Sequence, residues 1–286
     1  MTLAEADAGT VVKAKINYVG AMTDRPKFHA QDHRRDNLVY DPQVMEIADA
    51  RSWAVPPSLE REGVQLVHAP TRVTDYRDSD QLKELYLQDT AELVRRATGA
   101  TEVHMLPGGG MVRYAERSPY FGTGMNTLPA RFPHIDFTPA TAPGLAEDTF
   151  GSSKLELKPG QRLIGYNVWR VFSPPPQNVP LAVLDARSIT PEDLLKADGV
   201  YDEGEDRSRW WELEAFVVRH NPRHRWIYFS NMTQDEALIF RAYDNAPQFR
   251  PGTAHSAFDD PNCPDDAPGR VSVEARAYAV FDGDWG

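Results

Sequence analysis

The segment Arg270-Val271-Ser272-Val273-Glu274-Ala275-Arg276-Ala277-Tyr278-Ala279-Val280-Phe281 alternates polar and apolar residues over nearly its whole length. Successive side chains of a strand point to opposite faces, so this pattern buries one face and keeps the other polar only if the segment is extended. Shorter strand-like segments recur at 11–19, 111–114, 134–137, 162–172, 181–187, 211–219, 225–230, 237–243 and 253–258, and the turns between them draw on 23 Pro and 19 Gly. Helical spacing is clear only over about 80–98, where Leu82, Leu85, Tyr86, Leu93 and Val94 share a face. Ser79 or Asp80 can cap this helix and Gly99 can end it. A short helix is expected after Thr190-Pro191, a cap residue followed by Pro at the first helical position. Thr233 to Glu236 fits a capping box, but the alternation of Leu238, Phe240 and Ala242 with Ile239, Arg241 and Tyr243 favours a strand there. Many antiparallel-looking strands with few helices predict a mainly β fold with flanking helices, built as a barrel or jelly roll.

No shift in composition divides the 286 residues. The expectation is one domain over 1–286, with a strand and helix region at about 1–100 and a jelly-roll core at about 101–286. Ser173-Pro174-Pro175-Pro176 and the acidic 202–206 stretch read as loops within it. The formal net charge is −11, and the short Arg34-Arg35, Arg95-Arg96 and 219–225 basic groups form no stripe. That argues against a nucleic-acid partner. No run approaches the roughly 18 apolar residues a membrane-spanning helix needs, and the acidic first residues do not resemble a secretory signal. The one cysteine, Cys263, allows no internal disulfide, as expected in the reducing cytoplasm. Nothing in the pattern specifies an oligomeric state.

The segment Arg131-Phe132-Pro133-His134-Ile135-Asp136-Phe137 carries the chemistry. In an extended chain His134 and Asp136 project to one side. A distant third ligand would complete two nitrogens and one oxygen on one face of a metal, the arrangement that suits non-haem Fe(II) and leaves three positions open. With 8 His in the chain, about one His-x-Asp triplet is expected by chance, so the order of the downstream residues matters. His255 lies in Thr253-Ala254-His255-Ser256, and Arg270 and Ser272 then share a strand face about 7 Å apart.

In this order of motifs the chain resembles the CmcJ/NvfI/AsaB-type oxygenases, grouped with the gibberellin desaturases, a branch of the 2-oxoglutarate oxygenases. The resemblance spans nearly the whole chain. It includes Asp49-Ala50-Arg51, Gly99-Ala100, Asn167-Val168-Trp169-Arg170, Pro180 to Asp185, Trp226-Ile227-Tyr228-Phe229, Asp235 to Leu238, Tyr243-Asp244 and the Arg270-x-Ser-x-Glu-x-Arg276 pattern. A departure is Pro107-Gly108-Gly109-Gly110, where the family has a simpler turn. The resemblance implies a double-stranded β-helix (jelly-roll, cupin-like) and an oxygenase of secondary metabolism acting on a small molecule. It implies Fe(II), 2-oxoglutarate and O2 as cofactors, with ascorbate as an optional reductant. Halogenating relatives have a small residue in place of the carboxylate, so Asp136 points to hydroxylation, desaturation or ring closure.

The distal carboxylate of 2-oxoglutarate calls for a planar, permanently charged fork, which arginine supplies and lysine does not. Arg270 is the first choice, with Ser272 donating beside it. Arg276 is the runner-up, about 20 Å further along the strand, and a structural pair with Glu274 is favoured for it. Arg170 and Tyr228 are further candidates for the pocket, as is Asn167; each is equally consistent with a structural role. His220 and His224 are set aside as metal ligands because Asn221-Pro222 breaks any helix between them. His104 reads as a half-buried strand histidine. No phosphate loop and no Gly-x-Ser-x-Gly elbow is present. The alternatives are a cupin-like metal dioxygenase or isomerase that does not use 2-oxoglutarate, and a barrel that binds a small molecule without catalysis.

Overall fold

A computed structural model describes residues 10–107, 110–121, 128–151, 155–201, 211–246 and 252–283. Gly108-Gly109 and the acidic 202–206 stretch lie outside these residues. The described strands form two sheets. The larger runs in the order β1 (Val11–Val19), β3 (Tyr40–Asp49), β12 (Trp226–Tyr228), β9 (Leu181–Leu184), β14 (His255–Ala257), β7 (His134–Ile135), β11 (Trp211–Val218), β10 (Leu194–Tyr201) and β2 (Lys27–His29). The smaller runs β4 (Val64–His68), β13 (Glu236–Asp244), β8 (Arg162–Val171), β15 (Val271–Phe281), β5 (Glu102–Met105), with β6 (Met111–Tyr114) also paired to β15. This is the expected mainly β jelly roll.

The sheets close on each other through their apolar inner faces. Trp169, Val171, Leu238 and Phe240 of the smaller sheet pack with Leu181, Val183 and Ile227 of the larger one. Each such side chain removed from water contributes about 1.5–3 kcal/mol, which makes this interface the main source of cohesion between the sheets. A separate apolar cluster contains Ile16, Tyr18, Ile47, Trp226, Tyr228 and Phe258. Strands 111–114 and 11–19 fall where the alternation puts them, and the segment after Thr233 is a strand. Thr233 does pair with Glu236, its N–H donating to Oε2 at 2.9 Å, but the loop closes a turn rather than starting a helix.

The helix is continuous through Ser79–Gln81, a wide π-type turn at Leu82–Tyr86, and Leu87–Thr98. Its cap is Asp78, one residue before the expected Ser79 or Asp80: the Asp78 carboxylate accepts from the N–H groups of Asp80 and Gln81. Gly99 ends it with φ +74°, a conformation that favours glycine. The Thr190-Pro191 helix is a single 3₁₀ turn, Pro191–Asp193, with the Thr190/Asp193 capping box in place.

Candidate active site

Three neighbouring strands of the larger sheet gather the site. β7 is two residues long and is stitched between β11 and β14, with His134 opposite Val217 on one side and His255 on the other. Residues paired across strands share a face, so the two imidazoles meet, with ring centroids 4.2 Å apart. Asp136 follows β7 directly. One donor atom each from His134, Asp136 and His255 lies within 4.8 Å of the others, and all three residues are buried. His255 Nε2 is 3.9 Å from Asp136 Oδ2.

The rings are oriented from behind. His134 Nδ1 lies 3.0 Å from the carbonyl of Phe132, and His255 Nδ1 lies 3.4 Å from that of Thr253. A carbonyl only accepts, so each Nδ1 carries the hydrogen and each Nε2 keeps its lone pair. His255 Nε2 is buried with no partner. Burial, reinforced by His255, pushes His134 down to about 3, and burial also lowers His255. Both rings are therefore neutral, the form that ligates metal. Burial alone would raise Asp136, but the Arg276 charge, helped by the Asn167 hydrogen bond, holds it below the usual carboxylate range. The set is two neutral nitrogens and one anionic oxygen, with an orphaned nitrogen among them. These residues fit a divalent ion such as Fe(II).

The smaller sheet supplies the other wall. Asn167 and Arg276 are paired across β8 and β15 and point at Asp136. Arg276 Nη2 donates to Oδ1 at 2.8 Å, and Asn167 Nδ2 donates to Oδ2. Arg276 also lies 2.7 Å from Glu274 Oε1, though not aligned as a hydrogen bond. The Glu274 pairing expected from sequence is thus present, and Asp136 is a second, buried partner. Removing one member of such a buried pair costs about 3–5 kcal/mol, because the other charge is left uncompensated.

Just before β15 and in step with the same face, Arg270 is 1% exposed. Its Nη1 donates to the Val179 carbonyl at 2.7 Å and its guanidinium lies 5.4 Å from the Trp169 ring centre, while its Nε has no partner. Trp169 pairs with Glu274, so the Arg270 side chain leans along the strand toward Arg276. Burial, with Arg113 and Arg131 nearby, pushes Arg270 down to about 9. A guanidinium stays protonated at neutral pH, so Arg270 is a buried charge set beside other cations. The Ser272 hydroxyl is fully buried and unpartnered.

Two candidates lie on the face turned away from the cluster. Arg170 pairs with Val273, one residue out of step with Ser272 and Glu274, and therefore faces away from the metal cluster. It donates to the Ala69 carbonyl and sits 6.0 Å from the Tyr86 ring. Tyr228 likewise faces outward: His255, Val183 and Ile227 are in register on one face, and the next residue is on the other. Its ring meets Phe258 edge-on at 5.5 Å, and burial raises its phenol to about 12. In both cases the two-residue period of the strand decides the matter. Arg113, in register with Ser272, also faces inward and was not singled out, and Glu274 was named only as the partner of Arg276. The alternation of β15 places Glu274 beside Ser272 and Arg276, but β6 is too short for its sequence to show which way Arg113 points. Of the histidines set aside, His104 stacks on Phe150 with ring centres 3.8 Å apart, and His224 is buried in a separate hydrogen-bonded network.

The fold and the buried His-x-Asp…His cluster together define a jelly roll of the metal-site class. Residues 16–281 match the family model described as "YDMC: Oxidoreductase/YMDC permease-like domain", and the chain belongs to that family. Among its relatives, the Fe(II)/2-oxoglutarate-dependent dioxygenase nvfI of Aspergillus novofumigatus (strain IBT 16806) is 30% identical over 99% of this chain and 96% of its own length. The hydroxylase/desaturase efuI of Hormonema carpetanum is 31% identical over 86% of each chain. A solved structure of the iron and alpha-ketoglutarate-dependent endoperoxidase NvfI superposes with a TM-score of 0.80 at 26% identity, covering 97% of this chain and 99% of that one.

Proposed function

We propose that this chain is an Fe(II)/2-oxoglutarate-dependent oxygenase that hydroxylates, desaturates or oxidatively cyclises a small molecule in secondary metabolism. The observation that carries the reading is the convergence of His134, Asp136 and His255 within 4.8 Å, with both Nδ1 atoms turned onto backbone carbonyls. These three residues would hold the ferrous ion. When bound, iron with 2-oxoglutarate and O2 would supply a two-electron oxidation: one oxygen atom would go into succinate as CO2 leaves, and the other would end in a hydroxyl on the substrate or, with two substrate hydrogens, in water.

The chain's own residues prepare that chemistry. Arg276 and Asn167 fix the Asp136 carboxylate so that its geometry does not depend on the incoming ligand. Arg270 and Ser272 would hold the distal carboxylate of 2-oxoglutarate; a buried cation and a buried hydroxyl, both incompletely partnered, support that role. Arg276 is committed to Asp136 and Glu274, which favours Arg270 as the anchor. Phe132 and Phe28, with ring centres 5.1 and 6.1 Å from that of His134, and Phe240 at 4.7 Å from His255 keep bulk water from the cluster. We read residues 1–286 as one domain, supported by the entry of β1 to β4 into the same two sheets as the core strands. No helix among the described residues is long and apolar enough to cross a membrane, and the single cysteine supports a cytoplasmic site of action.

Anaerobic addition of Fe(II) and 2-oxoglutarate should give a visible charge-transfer band, and admission of O2 should release succinate. Metal binding without the band or succinate would favour the cupin-like alternative that does not use 2-oxoglutarate.

A further inference from the structure

The inner face of β15 carries more positive charge than one anchor explains. Arg113 is paired across strands with Ser272, so it shares the face that holds Arg270, Ser272, Glu274 and Arg276. It is 9% exposed, and among the described residues its side-chain hydrogen bond is from Nη1 to the Leu128 carbonyl at 2.9 Å. Among the described residues no carboxylate lies within 4.0 Å of either Arg113 or Arg270. The nearest inward-facing acids are already engaged, Glu274 by Arg276 and Asp136 by Arg276 and Asn167. Among the described residues, the two guanidiniums that share the face of the orphaned Ser272 hydroxyl therefore have only backbone carbonyls as hydrogen-bond acceptors. Leaving buried charge uncompensated is costly, and the distal carboxylate of 2-oxoglutarate would bring a negative charge to this end of the pocket, away from the metal. The arrangement makes sense if both arginines close on one anionic group.

We propose that Arg113 is a second anchor for 2-oxoglutarate, closing with Arg270 and Ser272 on the carboxylate farthest from the metal. The proposal rests on the oxygenase reading. It also assigns the cosubstrate end of the pocket to three residues from two strands rather than to the Arg-x-Ser pair alone. Burial lowers Arg113 as it does Arg270, and the Glu274 carboxylate offsets this only in part.

The test compares 2-oxoglutarate with 2-oxobutyrate, which chelates through the same 2-oxo acid end but has no distal carboxylate. Affinities are read from the charge-transfer band in an anaerobic titration of the Fe(II)-loaded protein. Arg113→Gln should weaken 2-oxoglutarate at least tenfold, about 1.4 kcal/mol at 25 °C, and leave 2-oxobutyrate unchanged within twofold. Arg113→Lys should recover part of the loss, since it restores charge without the fork. Arg270→Gln should show the same selectivity, and the double variant should lose less than the product of the two single losses because both residues grip one group. Equal weakening of both 2-oxo acids would mean that Arg113 only supports the fold, and no weakening of either would remove it from the site; each result overturns the proposal. If Arg113→Gln does not fold, the Arg113→Lys titration decides alone, since a lysine that binds 2-oxoglutarate as tightly as the parent also overturns it. Failure of the underlying oxygenase reading is distinguishable, because the parent protein would then show no band with either acid.

Discussion

Two buried clusters in this molecule use the same kinds of side chain to opposite ends. Outside the sheet interface, Tyr18, His224, Asp193 and Trp226 form a closed set. Trp226 Nε1 donates to the Tyr18 hydroxyl at 2.7 Å, that hydroxyl lies 3.0 Å from His224 Nδ1, and His224 Nε2 lies 3.2 Å from Asp193. Asn221 and the Thr190 N–H complete the Asp193 carboxylate at 2.9 and 2.7 Å. Both histidine nitrogens are used. Between the sheets, by contrast, His255 Nε2, Ser272 Oγ and the Nε atoms of Arg270 and Arg276 have no partner. Each unsatisfied buried group costs about 1–3 kcal/mol, and a fold tolerates several together where a ligand completes them. The outer cluster is scaffold; the inner one has the unfinished bonds of a binding site.

The largest expected effect tests that contrast at the inner cluster. His255→Ala should lower Co(II) or Fe(II) affinity by at least about a hundredfold, read as metal retained after dialysis, while the metal-free protein still unfolds cooperatively. Retention at the parent level would place the metal elsewhere. Next, His224→Ala should cost about 3 kcal/mol in urea denaturation, since it strips partners from a buried carboxylate and a buried phenol. Metal affinity should stay within twofold, and a lost metal with unchanged stability would reverse the two roles.

The smallest effect is in pH. Burial lowers the folded-state pKa of His224 below 6.5, and neighbouring Asp193 opposes this only in part. A depressed histidine contributes stability in full above its unfolded value of 6.5. The contribution is lost as pH falls below that value, because the unfolded chain takes up a proton that the folded one refuses. In metal-free protein His134 and His255 act in the same sense. His224→Gln should therefore make the loss of stability between pH 7 and 5 shallower by up to about 1.4 kcal/mol per pH unit. An unchanged slope would show that His224 titrates alike in both states.

The inner wall could be read from sequence because β15 is long and strictly alternating, so Arg270, Ser272 and Arg276 declared a common face. His134 and Asp136 were legible as a pair but not as a place, since only β11 and β14 bring His255 to them. For Arg170 and Tyr228 the sequence left pocket and scaffold open, because composition alone does not say which phase of a buried strand faces inward. β3 was hidden by Pro42, which pairs only with Asn17 of β1 and has no β12 residue on its other side. β10 was hidden by Gly199, where a Cβ would lie 2.8 Å from the Phe28 ring. In each case the deciding contact is with a segment remote in the chain.

The shortness of β7 has a bearing on how the metal site is assembled. Two residues cannot hold their own shape, so His134 takes up its position only once β11 and β14 have docked on either side. A chain in which β11 or β14 is not docked thus lacks the three-residue grip, and the metal chemistry is tied to the long-range pairing that also closes the sheet.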